Sequence, residues 1–217
     1  MSSRSNQGRS TISPLTSAAH VLSILNRAEP GDPILFPGHP DGPNVLGNKV
    51  GTLTDFTYLR HYTERDQWAN LLNQEDIAVV RLDNPDEWPD TTLVPNPSNP
   101  STRKKVSEFV TKPEMLDYVS KKVFKIGRTS GLTTGTFEVI GIEQYPIRLP
   151  DGRVYMYRDL LAIKGDENKR FSLPGDSGAL VYTEDFKALG FVGGGSESYT
   201  FACRAEPCLS NMKATLA

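Results

Sequence analysis

The chain has 217 residues, of which 37% are hydrophobic and 9% aromatic, and its formal net charge at pH 7 is −2. This composition predicts a packed globular core rather than a disordered chain. The near-neutral charge gives no electrostatic reason to expect a nucleic acid as partner, and no run of about 18 apolar residues predicts a membrane span. The first 14 residues lack an apolar run of the signal-peptide type, so we expect a cytoplasmic or nuclear protein.

The spacing of histidine and cysteine indicates neither a metal site nor a cofactor. The three histidines (His20, His39 and His61) lie far apart, and four residues separate the two cysteines, Cys203 and Cys208. A disulfide could close that short loop, but two free thiols are the better interpretation for an intracellular chain. We therefore expect no metal, no cofactor and no cysteine-stapled scaffold.

Short apolar segments rich in Val, Ile, Phe, Tyr and Thr alternate with glycine- and proline-rich turns along the chain. Four lie in the first half and six in the second: 12–24, 32–36, 49–59 and 76–82, then 121–127, 135–142, 153–163, 178–182, 188–194 and 199–204. This pattern is typical of strands and favours an all-β sandwich or barrel. Helical periodicity is weak, and its best candidates are Thr63–Leu72 and a short turn in Lys112–Lys121.

A polar, proline-dense segment, PNPSNPST, separates the two groups of predicted strands and has the composition of an extended linker. We place a domain boundary near Pro95–Ser101, which gives an N-terminal unit of residues 1–97 and a C-terminal unit of residues 98–217. About six strands in the second unit are enough for a small closed barrel, whereas the first unit supplies only about four.

Glycines flank Asp176 and Ser177 in the segment FSLPGDSGALVY, residues 171–182. Such small residues permit a tight turn that exposes a serine hydroxyl. The backbone N–H groups of Gly175 and Ser177 could then point into one space and bind a developing oxyanion. An ordinary polar hairpin turn is the alternative, and this motif alone does not distinguish the two.

A serine nucleophile needs a base, and histidine is the usual one near neutral pH. His20 follows an apolar segment and two alanines, whose small size would let its imidazole approach a neighbouring barrel. Asp76 precedes the apolar run IAVVRL, where it could be buried, remain ionised and fix the tautomer of a histidine. Taken separately, a structural histidine and a turn aspartate are the alternatives. Glu75 is the poorer candidate because the apolar run begins after Asp76.

Taken together, SAAHVL, EDIAVVRL and PGDSGAL resemble the histidine, aspartate and serine segments of trypsin-like serine peptidases. The order His, Asp, Ser is that of the chymotrypsin type. The resemblance implies an all-β fold of two antiparallel six-stranded barrels, the first one incomplete, with the active site in the cleft between them. It also implies a serine endopeptidase that acts through an acyl-enzyme, with Ser177 as nucleophile, His20 as base and Asp76 as orienting carboxylate.

The segments GDPILFPGHPDGPNVLGNKVGTL, KIGRTSGLTTGTF and ALGFVGGG resemble a less familiar trypsin-like branch. In the loop 127–135, Arg128 is expected to steady the fold, with a place near the cleft as the alternative, and His39 is expected to be a bystander. The resemblance implies that Phe171 forms the floor of the primary specificity pocket, where an aromatic residue argues against selection of Lys or Arg. It also implies a strand that binds an extended substrate through main-chain hydrogen bonds, made of Val192, Gly193, Gly194 and Gly195.

Only 19 residues precede His20, where family members have two or three strands. A truncated chain is the explanation we favour; a partner chain that completes the first barrel and a degenerate, inactive barrel are the alternatives. The chain lacks the Ile-Val-Gly-Gly end of activated digestive relatives, so the sequence does not name a partner for Asp176. The expected partner is a protein or peptide substrate. A non-catalytic protein-binding module and an esterase remain alternative functions.

Overall fold

The computed structural model describes residues 14–38, 48–63, 72–87, 93–166 and 169–216 of the chain. These residues form a predominantly β structure, as predicted. The helix candidate Thr63–Leu72 falls mostly outside the described residues, and His39 lies outside them entirely. The predicted turn in Lys112–Lys121 contains a short helix, Met115–Tyr118.

The first half of the chain forms a four-stranded antiparallel sheet and a separate hairpin. Its strands are β1 (Pro14–Ser17), β2 (Pro33–Phe36), β3 (Asn48–Phe56), β4 (Ala78–Leu82), β5 (Leu93–Asn96) and β6 (Asn99–Lys105). The sheet has the order β1-β4-β3-β2, so that β1 and β2 are its outer strands within the described ranges. A one-turn helix, α1 (Ala19–Leu22), follows β1 directly.

The second half closes into a six-stranded antiparallel barrel. The strands of this half are β7 (Glu108–Phe109), β8 (Lys122–Gly127), β9 (Gly131–Ile142), β10 (Tyr145–Arg148), β11 (Val154–Tyr157), β12 (Leu160–Gly165), β13 (Leu180–Thr183), β14 (Lys187–Gly195) and β15 (Tyr199–Arg204), of which six form the barrel. The barrel runs β8-β9-β12-β15-β14-β13 and closes because β13 pairs with both β14 and β8. Short β7 adds parallel to β14, and β10 and β11 form a separate hairpin. The helices of this half are α2 (Met115–Tyr118) and α3 (Ala205–Asn211).

The segment with linker-like composition folds into the β5–β6 hairpin. All residues of β6 are exposed, which explains why its sequence is as polar as a linker. The Tyr182 hydroxyl donates a 2.7 Å hydrogen bond to the carbonyl of Pro95 and so fastens the hairpin to the barrel. The boundary near Pro95–Ser101 stays a prediction, but this stretch is a strand pair rather than an extended tether.

One apolar cluster spans both halves of the chain. Leu53 and Ile77 from the first half belong to the same buried group as Tyr157, Leu160 and Phe201 from the second half. A second cluster fills the interior of the barrel, with Phe137, Leu161 and Ile163 among its members. Because the halves share a core, side chains carried by one half have fixed positions relative to those carried by the other.

Candidate active site

His20 and Asp76 meet because their strands are neighbours. Strands β1 and β4 are paired with Ser17 opposite Ala78, so α1 after β1 and the residues before β4 lie side by side. His20 Nδ1 lies 2.6 Å from Asp76 Oδ2, and the backbone N–H of His20 donates to Asp76 Oδ1 at 3.0 Å. Both residues are buried. A carboxylate in this position holds the imidazole with Nδ1 protonated and Nε2 free to accept a proton.

A third hydrogen bond to Asp76 comes from Tyr157 at the end of β11. Its buried hydroxyl donates to Asp76 Oδ2 at 3.2 Å. Burial, together with the negative charge of Asp76, raises the pKa of Tyr157 well above its ordinary value, so the phenol keeps its proton. Tyr157 therefore supports the buried carboxylate from the second half of the chain. Sequence reasoning did not identify this residue.

The carboxylate also controls the charge of His20. Burial alone would lower the pKa of His20, but the charge of Asp76 and its hydrogen bond outweigh burial, so the pKa is raised above its ordinary value. A raised histidine pKa contributes stability that is fully present below about pH 6.5 and is lost as the pH rises through the folded-state pKa. Neutral His20, the form that can accept a proton, therefore predominates only at pH values above that raised pKa.

We expect His20 to titrate with a pKa above about 6.5 and the substitution Asp76→Asn to bring that pKa below this value. The reason is that burial then acts without the opposing negative charge. NMR titration of the imidazole protons measures both values, with a His20→Gln variant to assign the resonance. A wild-type pKa at or below about 6.5 would contradict the ion pair described here.

The turn that carries Ser177 packs against the segment that leads to His20. Gly178, with φ of +83°, follows the serine, and a Cβ at this glycine would lie 2.4 Å from Ala18 N and 2.5 Å from Ser17 Oγ. Ser177 and His20 line the same cavity, which has a volume of about 720 Å³. The structure thus brings the serine and the histidine, 157 residues apart (177 − 20) in sequence, to one cavity.

Gly178→Ala should lower the free energy of unfolding by about 2–4 kcal/mol, since it adds a backbone clash to the cost of positive φ. Gly152 provides a matched control, because its φ is +79° but nothing lies within 4 Å of its added Cβ. Gly152→Ala should therefore cost only about 1 kcal/mol. Urea unfolding of both variants measures the difference. Equal losses would mean that Ser17 and Ala18 do not abut the serine turn.

Asp176, for which the sequence named no partner, is fully satisfied inside the protein. Its Oδ1 accepts from the backbone N–H groups of Thr129 (2.8 Å) and Ser130 (3.2 Å). Its Oδ2 accepts from the hydroxyl of Ser130 (2.5 Å) and the N–H of Leu173 (2.9 Å). The ammonium of Lys125 completes the set at 3.2 Å, and neither charged side chain is exposed to solvent. An internal lysine on β8 thus holds the carboxylate that precedes Ser177.

Burial and hydrogen-bond partners shift the pKa values of both Asp176 and Lys125. Burial raises the pKa of Asp176, but the Ser130 hydroxyl and three backbone N–H groups outweigh burial and lower it to about 2. Burial lowers the pKa of Lys125, and the nearby carboxylate opposes that shift. Asp176 therefore contributes stability above its unfolded-state pKa of about 4 and loses it as the pH falls toward 2.

The loop 127–135, which begins with the motif GRTSG, packs against the turn that carries Ser177. A Cβ at Gly127 would lie 2.4 Å from Asp176 Oδ1, so the carboxylate needs glycine at this position. The Arg128 guanidinium lies beside Gly175, where an added Cβ would be 2.8 Å from Nη2. The expected structural role of this loop agrees with these contacts.

Gly175 and Ser177, the predicted oxyanion donors, flank a residue whose N–H is occupied. The N–H of Asp176 donates to the carbonyl of Leu173 at 3.0 Å. Within the part of the chain that the structure describes, the N–H groups of Gly175 and Ser177 have no acceptor. The turn can be tight because Gly175 adopts a φ of +101°. The binding of an oxyanion by these two groups stays a prediction.

Val192, Gly193, Gly194 and Gly195, the predicted substrate strand, line the cavity. The N–H of Val192 donates to the carbonyl of Ala179 at 3.0 Å, on the side of β14 that faces β13. Past Val192, the described pairing of β14 is with β15 alone, so its other main-chain edge is open. An extended peptide could add to this edge.

Phe171 does not line the cavity, contrary to the expectation that it forms a pocket floor. Its side chain is 1% exposed and packs in the interior of the barrel, with its ring centre 5.7 Å from Lys125 Nζ. The residues on either side of it, Arg170 and Ser172, do line the cavity.

No group of three or more His, Cys, Asp or Glu side chains in the described ranges is arranged to hold a metal ion. Cys203 and Cys208 are buried free thiols. None of the described helices has the length and apolar character needed to cross a membrane.

Comparison with known protein families finds a match in the second half of the chain. Residues 104–202, just under half of the chain, match a family described as the Nal1 C-terminal domain. No curated protein matches the sequence.

Three solved structures are similar over 94% of this chain. The chymotrypsin of Cellulomonas bogoriensis has 19% identity, 86% coverage of its own chain and a TM-score of 0.58. Protease A of Thermobifida fusca has 18% identity, 84% coverage and a TM-score of 0.57. A glutamic acid-specific serine protease, described as using a histidine triad in substrate binding, has 16% identity, 86% coverage and a TM-score of 0.59. The chain therefore has the fold of bacterial chymotrypsin-like serine proteases, which confirms the predicted trypsin-like fold.

Proposed function

We propose that the protein is a serine endopeptidase in which Ser177, His20 and Asp76 form a catalytic triad. The observation that carries this proposal is the buried 2.6 Å contact between His20 and Asp76 in the wall of the cavity that Ser177 also lines. This contact leaves the second ring nitrogen of His20 as the only one that can act as a base. The raised pKa of the histidine is what a residue that becomes an imidazolium during catalysis requires.

In the proposed reaction, Nε2 of His20 takes the hydroxyl proton as Ser177 Oγ attacks the carbonyl carbon of the substrate. The N–H groups of Gly175 and Ser177 bind the oxyanion. The imidazolium, stabilised by Asp76, protonates the leaving amine nitrogen, and the C–N bond breaks to leave an acyl-enzyme. A water molecule then gives its proton to His20 and attacks the ester, and that proton returns to Ser177 as the acid leaves.

The open edge of β14 supplies a place for the substrate backbone. An extended peptide beside Gly193–Gly195 would gain main-chain hydrogen bonds that do not depend on its side chains. Ile147 packs close to Gly194, where an added Cβ would lie 3.0 Å from its Cγ2. A side chain at Gly194 would therefore need Ile147 to move and would narrow the cavity at this edge.

A fluorophosphonate probe should label wild-type protein on Ser177, and Ser177→Ala should abolish the labelling. His20→Ala should slow it by about 1,000-fold or more, because the hydroxyl then lacks its base. Ser101→Ala, on the exposed strand β6, is the matched control and should label like wild type. Peptide mapping of the adduct identifies the site. If folded wild-type protein does not react at Ser177, the proposal fails.

A non-catalytic protein-binding module is the second candidate, and one observation favours it. In the described ranges the first half has a four-stranded sheet with β1 and β2 as outer strands, not a closed barrel. Outer strands can pair with a strand from another chain, which would complete this half. The labelling experiment separates the two candidates, since a folded module would show no reactive serine. A third candidate, an esterase, would share the triad but would hydrolyse small esters and leave peptides intact.

A further inference from the structure

The inner wall of the cavity carries hydroxyl groups rather than a carboxylate. Ser172 lines the cavity, and its Oγ lies 2.7 Å from Oγ1 of Thr200, which is 3% exposed. A Cβ at Gly195 would lie 3.8 Å from Ser172 Oγ, so this hydroxyl lies beside the proposed substrate strand. When Thr200 donates to Ser172, the Ser172 proton is available to an acceptor in the cavity.

Two cationic side chains line the same cavity as Ser172. Arg170 lies two residues before Ser172 and lines the cavity with a half-exposed side chain. Arg148, on β10, lines the cavity as well, and its guanidinium donates to the carbonyl of Gly152. Among the described lining residues Glu197 is the one carboxylate, so the fixed charges of the wall sum to a net positive value.

Glu197 shows that a carboxylate can approach Arg170 at this point. Its Oε1 lies 3.9 Å from Arg170 Nη2, but its side chain is 94% exposed. A pair this exposed holds its partners weakly. A substrate carboxylate that also accepted a hydrogen bond from the Ser172 hydroxyl would gain a second, charge-assisted interaction that Glu197 does not make. Arg170 can therefore exchange Glu197 for a substrate acid.

We propose that this cavity binds an acidic side chain, at the residue that precedes the cleaved bond, with Arg170 and Ser172 as the specificity-determining residues. The inference rests on the proposed endopeptidase function and names its substrate class. A lysine or arginine side chain in the same place would face the guanidinium of Arg170 without a buried carboxylate to offset the repulsion. Glutamine, which has the shape of glutamate without its charge, is the neutral comparison.

The test is the cleavage of four peptides that differ only in the residue before the cleaved bond, which is Glu, Gln, Phe or Lys. We expect kcat/KM for the Glu peptide to exceed that for the Gln peptide by about five- to tenfold at low ionic strength and the Lys peptide to be cleaved most slowly. The Glu/Gln ratio should fall as salt is added, because salt screens exposed charges.

Variants of the lining residues identify the side chain that causes the preference for the Glu peptide. Arg170→Gln should lower the Glu/Gln ratio toward one, chiefly through a lower kcat/KM for the Glu peptide. Glu197→Gln should raise the ratio, since it frees Arg170. Arg153→Gln, which changes an exposed arginine outside the cavity lining, is the matched control and should leave the ratio unchanged.

Each other result overturns the inference. A wild-type Glu/Gln ratio of one or less, or a ratio that Arg170→Gln leaves unchanged, excludes Arg170 as the residue that selects an acidic side chain. If Ser177 reacts with the fluorophosphonate but the Glu peptide is not cleaved, the inference fails while a reactive serine hydrolase remains. If Ser177 does not react, the proposed function itself fails.

Discussion

Asp76→Asn is expected to lower kcat by about four orders of magnitude while the protein stays folded. The backbone N–H of His20 can only donate, so the amide oxygen of an asparagine must take the place of Oδ1, which accepts from it at 3.0 Å. The amide NH₂ group then takes the place of Oδ2, opposite His20 Nδ1. An imidazole that accepts at Nδ1 carries its proton on Nε2 and cannot take a proton from Ser177.

The control for this variant is Tyr157→Phe, which removes one of the hydrogen bonds to Asp76 and keeps the carboxylate. We expect it to lower kcat by no more than about 100-fold, since a hydrogen bond from a neutral donor to a charged group contributes roughly 1.5–3 kcal/mol. Steady-state kinetics on a cleaved peptide measures both variants, and circular dichroism reports whether each is folded. A folded Asp76→Asn protein with kcat within tenfold of wild type would show that this carboxylate does not set the tautomer of His20.

Lys125→Met is expected to lower the free energy of unfolding by about 3–5 kcal/mol and to abolish reaction at Ser177. Removing one partner of a buried ion pair leaves the other charge uncompensated. Asp176 would keep its hydrogen bonds from Thr129, Ser130 and Leu173 but lose the ammonium that pairs with it. The turn that begins at Asp176 would then shift to expose the carboxylate, and Ser177 would move with it.

Lys122→Met provides the matched control on the same strand, β8. Lys122 forms an ion pair with Asp166 at 2.5 Å, but both side chains are partly exposed. Exposed pairs contribute about 0–1 kcal/mol, so this substitution should have little effect. The double variant Lys125→Met/Asp176→Asn removes both buried charges and should regain part of the lost stability. Denaturant unfolding and fluorophosphonate labelling measure the four proteins, and equal losses for the two lysine variants would contradict the buried-pair assignment.

The sequence predicted the fold class and the three candidate residues because each lies next to an apolar strand with a clear pattern. The burial pattern of β4 is an example, since its apolar residues are buried and Arg81 is exposed. The six strands of the closed barrel could also be predicted, because apolar runs and glycine turns alternate regularly from residue 121 to residue 204.

Features that depend on pairing between distant segments could not be predicted in the same way. Tyr157 reaches Asp76 across 81 residues of chain, and nothing in its own segment marks it as a hydrogen-bond donor. For Lys125, the sequence did contain one signal of its buried position. Alternation along β8 places it on the same face as Val123, which is fully buried, so a charged residue falls at an interior position. A buried lysine needs an acidic partner, and Asp176 was an acid without one.

The composition of the β5–β6 segment misled the sequence analysis for a physical reason. A strand whose side chains are all exposed has no apolar face, so the alternation of apolar and polar residues disappears and polar residues dominate. Phe171 shows a similar limit. Its distance from Ser177 along the chain suggested a pocket residue, but Phe171 packs inside the barrel while its neighbours Arg170 and Ser172 line the cavity.

The ammonium that holds Asp176 comes from the middle of a strand and not from an end of the chain. The arrangement of the serine turn is therefore complete when the barrel has closed, and no cut in the polypeptide has to create it. Order in the serine turn is thereby tied to closure of the barrel, and it is an internal side chain, not a new chain terminus, that holds Asp176 in place.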